Sequence, residues 1–102
     1  MIHVIAFVTT KPGQRDAILR EFHQILPKVH AEKGCIEYAP AIDTEGAPGV
    51  QTKLGQDAFA VVEKWESVET LAAHLIAPHM ADYRAKVKDM IATTVLSILS
   101  PA

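Results

Sequence analysis

The sequence contains no asparagine, only one cysteine and none of the common metal-binding motifs. Cys35 cannot form an internal disulfide, so we expect the protein to reside in a reducing compartment, the cytoplasm. Neither a C-x-x-C pair nor an H-E-x-x-H motif occurs, which argues against a tetrahedral zinc site. Any chemistry that depends on an Asn carboxamide is excluded in this chain.

A strong charge of either sign is also missing. Ten Lys and Arg against twelve Asp and Glu leave a net charge of −2, whereas a nucleic-acid binder presents a basic face. Neither a G-x-G-x-x-G nor a G-x-x-x-x-G-K-[ST] phosphate loop is present. No apolar run approaches the ~20 residues of a membrane span, and the N-terminus lacks the features of a signal peptide. We therefore expect no nucleic-acid partner and no membrane span.

What is present is a short chain of ordinary globular composition. Its 102 residues, of which 49% are hydrophobic and 22% charged, suffice for one small folded domain and no more. Neither an internal repeat nor a linker-like stretch divides the chain. We therefore expect a single domain over residues 1–102.

The hydrophobic pattern predicts four strands and two helical regions. The strands are expected over residues 2–9, 36–42, 58–66 and 93–99. A long helix is expected over residues 14–33, ended by Gly34, and a second helical region begins after Ser67 and is interrupted at Pro78. This order predicts the ferredoxin-like split β-α-β fold, an α+β architecture with a four-stranded antiparallel sheet.

The first and last strands carry apolar residues on both faces. In the first strand Ile5 and Phe7 point to one face, and Val4, Ala6 and Val8 point to the other. Two helices can cover only one face of such a sheet. We therefore expect a second copy of the chain to cover the other face in a two-fold dimer.

The densest cluster of polar residues lies at the end of the third strand and in the helical region after it. Glu63 and Trp65 are two positions apart on a strand and therefore share a face. His74 lies about two turns into the following helix, which can pack back over that face. Pro78 redirects the chain, so that His79 can approach the same cavity. We expect Trp65 and His74 to line one pocket between the helices and the sheet.

The rest of the expected pocket is apolar and aromatic. Its lining is predicted from Phe22, Val61 and Leu75, with Tyr38 or Tyr83 at the mouth. Each of these residues also has an ordinary interpretation as part of the hydrophobic core.

The segments Glu63–Ser67, Leu71–Leu75 and Pro78–Met80 together resemble a known family. They are similar to the E-x-W-x-[ST] strand end and the H-L-x-x-P-H helix of the antibiotic biosynthesis monooxygenase family. The resemblance runs nearly end to end and is closest to the bacterial quinol monooxygenase branch. It implies a dimeric ferredoxin-like α/β barrel. Several members of the family oxygenate polycyclic phenols or quinols without metal, flavin or haem, so the resemblance implies no cofactor.

On this basis we expect a cofactor-independent monooxygenase that oxidises a hydroquinone or similar electron-rich phenol with dioxygen. His74 would be the catalytic base, because histidine titrates near neutral pH, and Trp65 would be the flat wall for the substrate ring. Glu63 would hold an imidazole in its useful tautomer. The groups expected to orient the phenolic oxygens are Tyr38, His79 and Tyr83.

Two alternatives remain open at this point. One is an isomerase of a small phosphorylated carbonyl compound, since a related branch has a similar Pro-His segment. The other is a non-catalytic dimeric module that binds quinones or another apolar ligand. Anthrone oxygenases and haem-degrading relatives use an Asn that this chain lacks, which argues against haem degradation and leaves the anthrone reaction open.

Overall fold

The computed structural model describes residues 1–102 as four strands, three α-helices and one short 3₁₀ helix. The strands are β1 (Ile2–Thr10), β2 (Cys35–Ala41), β3 (Ala58–Trp65) and β4 (Ile91–Leu99). The helices are α1 (Arg15–His30), α2 (Val68–Leu75) and α3 (Pro78–Val87), followed by the 3₁₀ helix Lys88–Met90. None of the helices has the length and apolar character that a membrane crossing requires. The predicted ferredoxin-like α+β architecture is confirmed.

The four strands form one antiparallel sheet in the order β2-β3-β1-β4. The β1–β3 register pairs Val4 with Glu63 and Ala6 with Val61, so these side chains share the face that the helices cover. Alternate residues of β1 and β3 are buried on this face. The sheet therefore supplies the floor on which a site between helices and sheet can form.

The turn between α1 and β2 packs directly against the start of α2. Gly34 has a φ of +82°, and a Cβ at this position would lie 2.5 Å from the Cγ2 of Thr70. Thr70 is itself held by Ser67, whose Oγ accepts a hydrogen bond from the Thr70 backbone N–H at 3.2 Å. Only glycine combines this backbone conformation with so close an approach. The turn consequently brings Glu32 alongside α2.

A break between α2 and α3 places two histidines close together. Helix α2 ends at Leu75, Ala77 is extended, and Pro78 begins α3, where its missing N–H removes no helical hydrogen bond. His74 thus lies in the last turn of α2 and His79 in the first turn of α3. The change of direction allows both rings to approach the same carboxylate of Glu32.

The sheet face opposite the helices is apolar and uncovered within the chain. Phe7 pairs with Ala60 on one side and with Val95 on the other, so the three side chains share this face. Phe7 is 43% exposed and Val95 60% exposed. The doubly apolar strands inferred from the sequence are therefore present, and the covering of this face by a second chain stays a prediction.

Candidate active site

An apolar cavity of about 460 Å³ lies between the helix-covered face of the sheet and the three helices. Eleven of the sixteen residues around it are hydrophobic. A cavity of this size and character can hold one or two aromatic rings. Seven of the residues proposed from the sequence line it: Phe22, Tyr38, Val61, Glu63, His74, Leu75 and Tyr83.

A second cleft, of about 700 Å³, lies against the segment 42–56 and is mainly polar. The Asp43 carboxylate there accepts hydrogen bonds from the backbone N–H groups of Leu54 and Gly55, both at 2.9 Å. These bonds close the loop on itself, and no imidazole or thiol faces the cleft. The apolar cavity, which holds a buried imidazole and a buried carboxyl group, is therefore the candidate active site.

His74 is only 2% exposed, and its ring faces the cavity. Its Nδ1–H donates a hydrogen bond of 2.8 Å to Oε2 of Glu32, while Nε2 makes no hydrogen bond to the protein. This arrangement favours the tautomer whose Nε2 carries the lone pair. Burial lowers the pKa of His74, and the hydrogen bond and charge of Glu32 oppose that shift. A neutral imidazole with a free acceptor nitrogen can act as a base toward a molecule in the cavity.

His79 does not line the apolar cavity, contrary to the prediction. Its Nε2–H donates to the same Glu32 oxygen at 2.9 Å, and the ring borders a polar groove between α1 and α3. The reason is the first-turn position of His79 on α3, which directs the ring to the far side of Glu32. His79 therefore supports the carboxylate that holds His74 and contacts no molecule in the cavity directly.

Trp65 lies behind His74 and does not form a wall of the cavity, so that expectation was wrong. The indole is completely buried, its ring centre lies 4.6 Å from that of His74, and the two planes are tilted by 36°. Trp65 is the last residue of β3, and the His74 ring packs over its indole. The two rings therefore do not face each other across the cavity. Trp65 can fix the position of the His74 ring, and it has no surface left for a substrate ring.

Glu63 projects from β3 into the cavity and is 6% exposed. Its Oε1 accepts a hydrogen bond of 2.9 Å from Nε1–H of Trp65. Burial raises the pKa of Glu63 to about 7, against the opposing effect of this hydrogen bond. The expectation that Glu63 orients an imidazole was wrong, because the His74 ring is hydrogen-bonded to Glu32 and Glu63 is hydrogen-bonded to Trp65.

The two tyrosines line the cavity as part of its aromatic core. The rings of Phe22 and Tyr38 stack with centres 5.3 Å apart, and Tyr83 meets Phe22 edge-on at 5.8 Å. Burial raises the pKa of Tyr83 to about 12 and raises the pKa of Tyr38 strongly as well. Both hydroxyl groups therefore stay protonated at neutral pH and can act as hydrogen-bond donors.

Sequence reasoning missed Glu32 and the wall that β4 contributes. Glu32 follows the polar end of α1, where an acidic residue is ordinarily a solvated surface group, so no local pattern distinguishes it. Leu96 pairs with Ala6 across the sheet and consequently lines the cavity. The alternation in the last strand could have indicated Leu96, but only once the register was known. Arg84 and Lys88 add the cationic part of the lining.

Comparisons with known proteins give a consistent result. A family model described as antibiotic biosynthesis monooxygenase matches residues 1–86. The chain is 40% identical to probable quinol monooxygenase YgiN of Escherichia coli K12, over 99% of this chain and 98% of that protein.

Solved structures share the fold at lower identity. A putative antibiotic biosynthesis monooxygenase from Nitrosomonas europaea has a TM-score of 0.84 at 17% identity, covering 99% of this chain and 98% of that one. The protein PA3566 from Pseudomonas aeruginosa has a TM-score of 0.82 at 21% identity, covering 99% and 93% of the two chains.

Proposed function

This chain belongs to the antibiotic biosynthesis monooxygenase family, and from that premise we propose that it oxygenates a quinol or similar electron-rich phenol with dioxygen and without a cofactor. The observation that carries the proposal is the buried His74, whose Nδ1 is held by Glu32 and whose ring faces an apolar cavity. The relative of 40% identity, named a probable quinol monooxygenase, supports the substrate class.

His74 acts as the base in this proposal. The Nε2 lone pair takes a proton from a phenolic hydroxyl, and the resulting imidazolium is stabilised by the carboxylate of Glu32. Deprotonation makes the ring a stronger reductant, so that an electron can pass from the substrate to dioxygen. The semiquinone and superoxide then combine at a ring carbon next to the phenolic oxygen. The imidazolium of His74 returns its proton to the resulting peroxide anion, which gives a hydroperoxide and restores the neutral imidazole.

The surroundings of His74 suit this chemistry because they are mainly apolar. Once a quinol fills the cavity, the apolar lining limits the access of water to the semiquinone and superoxide pair. The hydroxyl groups of Tyr38 and Tyr83 can donate hydrogen bonds to quinol oxygens. Since the quinol itself supplies all the electrons, the reaction of one quinol with one dioxygen gives one hydroxyquinone and one water.

Oxygen uptake tests the proposal directly. The purified protein with a naphthoquinol should consume dioxygen faster than the quinol alone and yield the hydroxylated quinone, identified by mass spectrometry. Uptake equal to the uncatalysed rate would contradict the proposal. Ligand binding without uptake would favour a binding module, and turnover of a phosphorylated carbonyl compound under anaerobic conditions would favour an isomerase.

Replacing Glu32 with glutamine should change the pH dependence of the reaction in a defined direction. A glutamine oxygen can still accept the His74 N–H, but the charge that raises the pKa of His74 is lost. The acidic limb of the kcat/KM profile should therefore move to lower pH. The value of kcat should fall about 10- to 100-fold, since a hydrogen bond to a charged group is worth ~1.5–3 kcal/mol. Glu45→Gln, at an exposed loop position, is the matched control, and an unmoved limb in Glu32→Gln would contradict the assigned role of Glu32.

The uncovered sheet face leads to a prediction about assembly. We propose that two copies pack through this face, because a stable dimer buries more than ~1,200 Å² and the face presents a contiguous apolar surface. Light scattering should give twice the 11.1 kDa mass of one chain. Phe7→Glu should yield monomers, whereas Val50→Glu, at a 93% exposed position away from the sheet, should not. A monomeric wild-type protein at micromolar concentration would overturn the prediction.

A further inference from the structure

We propose that Glu63 is the proton donor that converts the departing hydroxide into water when the O–O bond of the substrate hydroperoxide breaks. This inference rests on the proposed function and extends it to the second half of the reaction. Glu63 is the one buried carboxyl group that faces the cavity. The first proton transfer, from the phenol to His74, does not use it.

The contacts of Glu63 identify it as a proton donor and not as a structural anion. One carboxyl oxygen accepts the Trp65 N–H, and neither oxygen receives any other hydrogen bond from the protein. None of the ion pairs of the molecule includes Glu63. A carboxylate buried among apolar groups without a cation is costly, so the carboxyl group retains its proton to higher pH than an exposed one. The second oxygen can then present an O–H to a molecule in the cavity.

Glu63 and His74 form a complementary pair around this cavity. Burial disfavours the charged form of each group, which keeps His74 neutral as a base and raises the pKa of Glu63 to about 7. An acid and a base in one cavity, each held in the protonation state that its task requires, are the arrangement expected for paired acid and base catalysis.

The proposed step is balanced within the substrate and these two residues. His74 Nε2 takes the hydrogen of the ring carbon that bears the hydroperoxide, and the C–H electron pair becomes the new C=O bond. The O–O bond breaks, and the leaving oxygen takes its bonding pair together with the Glu63 proton to form water. The peroxide is reduced and the ring carbon is oxidised by two electrons, so no further reductant is needed. The imidazolium of His74 then returns its proton to the Glu63 carboxylate.

Several ionisable groups face Glu63 and enter its pH dependence. The charge of Glu32, at the turn before β2, opposes the ionisation of Glu63. Arg84 and Lys88 carry the positive charges of the cavity lining, at exposed positions. The remaining ionisable groups that line the cavity are Tyr38 from β2, His74 from α2 and Tyr83 from α3.

Glu63→Gln tests the step, because the amide oxygen can still accept the Trp65 N–H while the side chain has no proton to give. Steady-state kcat should fall about 10²- to 10⁴-fold. Stopped-flow measurement should still show rapid uptake of one dioxygen per site, and quenched samples should contain the substrate hydroperoxide. The wild-type kcat should decrease above pH ~7, where Glu63 ionises, and this alkaline limb should be absent in the variant.

Chemical denaturation provides a measurement that does not depend on turnover. A glutamate whose pKa rises from 4.5 in the unfolded chain to about 7 in the folded protein stabilises the fold below pH 4.5. This contribution is lost as the pH rises through about 7. The free energy of unfolding of the wild type should therefore decrease relative to that of Glu63→Gln across this interval. If the difference in free energy of unfolding between the two proteins stayed constant across this pH interval, Glu63 would not be protonated near neutral pH and the proposal would be overturned.

The outcomes separate this proposal from the proposed function. If the wild-type protein takes up no dioxygen with any quinol, the proposed function and the role of Glu63 both fail. Wild-type uptake together with an unimpaired kcat in Glu63→Gln removes the role of Glu63 and leaves His74 as the base. Loss of the rapid first uptake in Glu63→Gln would also overturn the proposal, since it would place Glu63 before the hydroperoxide. Retained rapid uptake with accumulated hydroperoxide supports it.

Discussion

Replacing His74 with alanine should lower kcat for quinol oxidation by about 10²- to 10⁴-fold, which is the usual contribution of a general base. The reason is that His74 carries the only imidazole among the residues that line the apolar cavity. Without it, only quinol already ionised in solution can react with dioxygen. Added imidazole should restore part of the rate, because the substitution leaves a space of matching shape beside Trp65.

Two controls make this result specific. His74→Gln retains much of the side-chain volume and separates loss of the base from loss of packing, so it should be as inactive as His74→Ala. His23→Ala, on the exposed side of α1, should retain wild-type kinetics. Undiminished turnover by a folded His74→Ala protein would refute the role of His74 as the base. If the wild type and the variants all bound the ligand but none of them turned it over, a binding module would be the better description.

Replacing Trp65 with alanine should lower the free energy of unfolding by about 3–5 kcal/mol, the range for truncation of a large buried aromatic residue. The indole is completely buried and contacts both the Tyr38 and His74 rings. Its loss opens a space beneath the imidazole and removes the one hydrogen bond that Glu63 receives from the protein. A loss of this size is a large part of the ~5–15 kcal/mol that stabilises a typical domain.

Trp65→Phe distinguishes the packing role from the hydrogen bond. The phenyl ring keeps most of the contact with His74, so this variant should lose much less stability than Trp65→Ala in urea denaturation. The pKa of Glu63 should rise further in Trp65→Phe, because the Trp65 hydrogen bond lowers it in the wild type. A loss below ~1 kcal/mol for Trp65→Ala, which is typical of surface positions, would contradict the supporting position of Trp65.

Much of the fold was predictable because it follows from local periodicity. The apolar residues of α1 recur along one helical face, and Ile18, Phe22 and Val29 are buried as that pattern requires. Alternation in β3 placed Glu63 and Trp65 on the same face, and both are buried there. Ser67 begins α2 through its capping hydrogen bond, as its position before the helical pattern indicated.

The composition of the cavity was predictable in part for the same reason. Phe22, Val61 and Leu75 were placed on its lining by their positions on elements whose inward faces the periodicity defines. The division of tasks among the polar residues was not predictable. Whether Trp65 faces a cavity or lies behind another ring depends on a few ångströms of helix placement, and no spacing along the chain encodes such a distance.

The amino-acid sequence by itself determined the order of the strands and helices, the helix-covered face of the sheet and the residue types available for chemistry. Only the tertiary structure decided that Glu32, 42 positions away along the chain, holds His74, and that Glu63 is left to face the cavity with an uncharged partner. The physical reason is the range of the forces involved. Periodicity and capping act within a few residues, whereas the pairing of carboxylate and imidazole depends on the close packing of the α1–β2 turn against α2, which Gly34 permits.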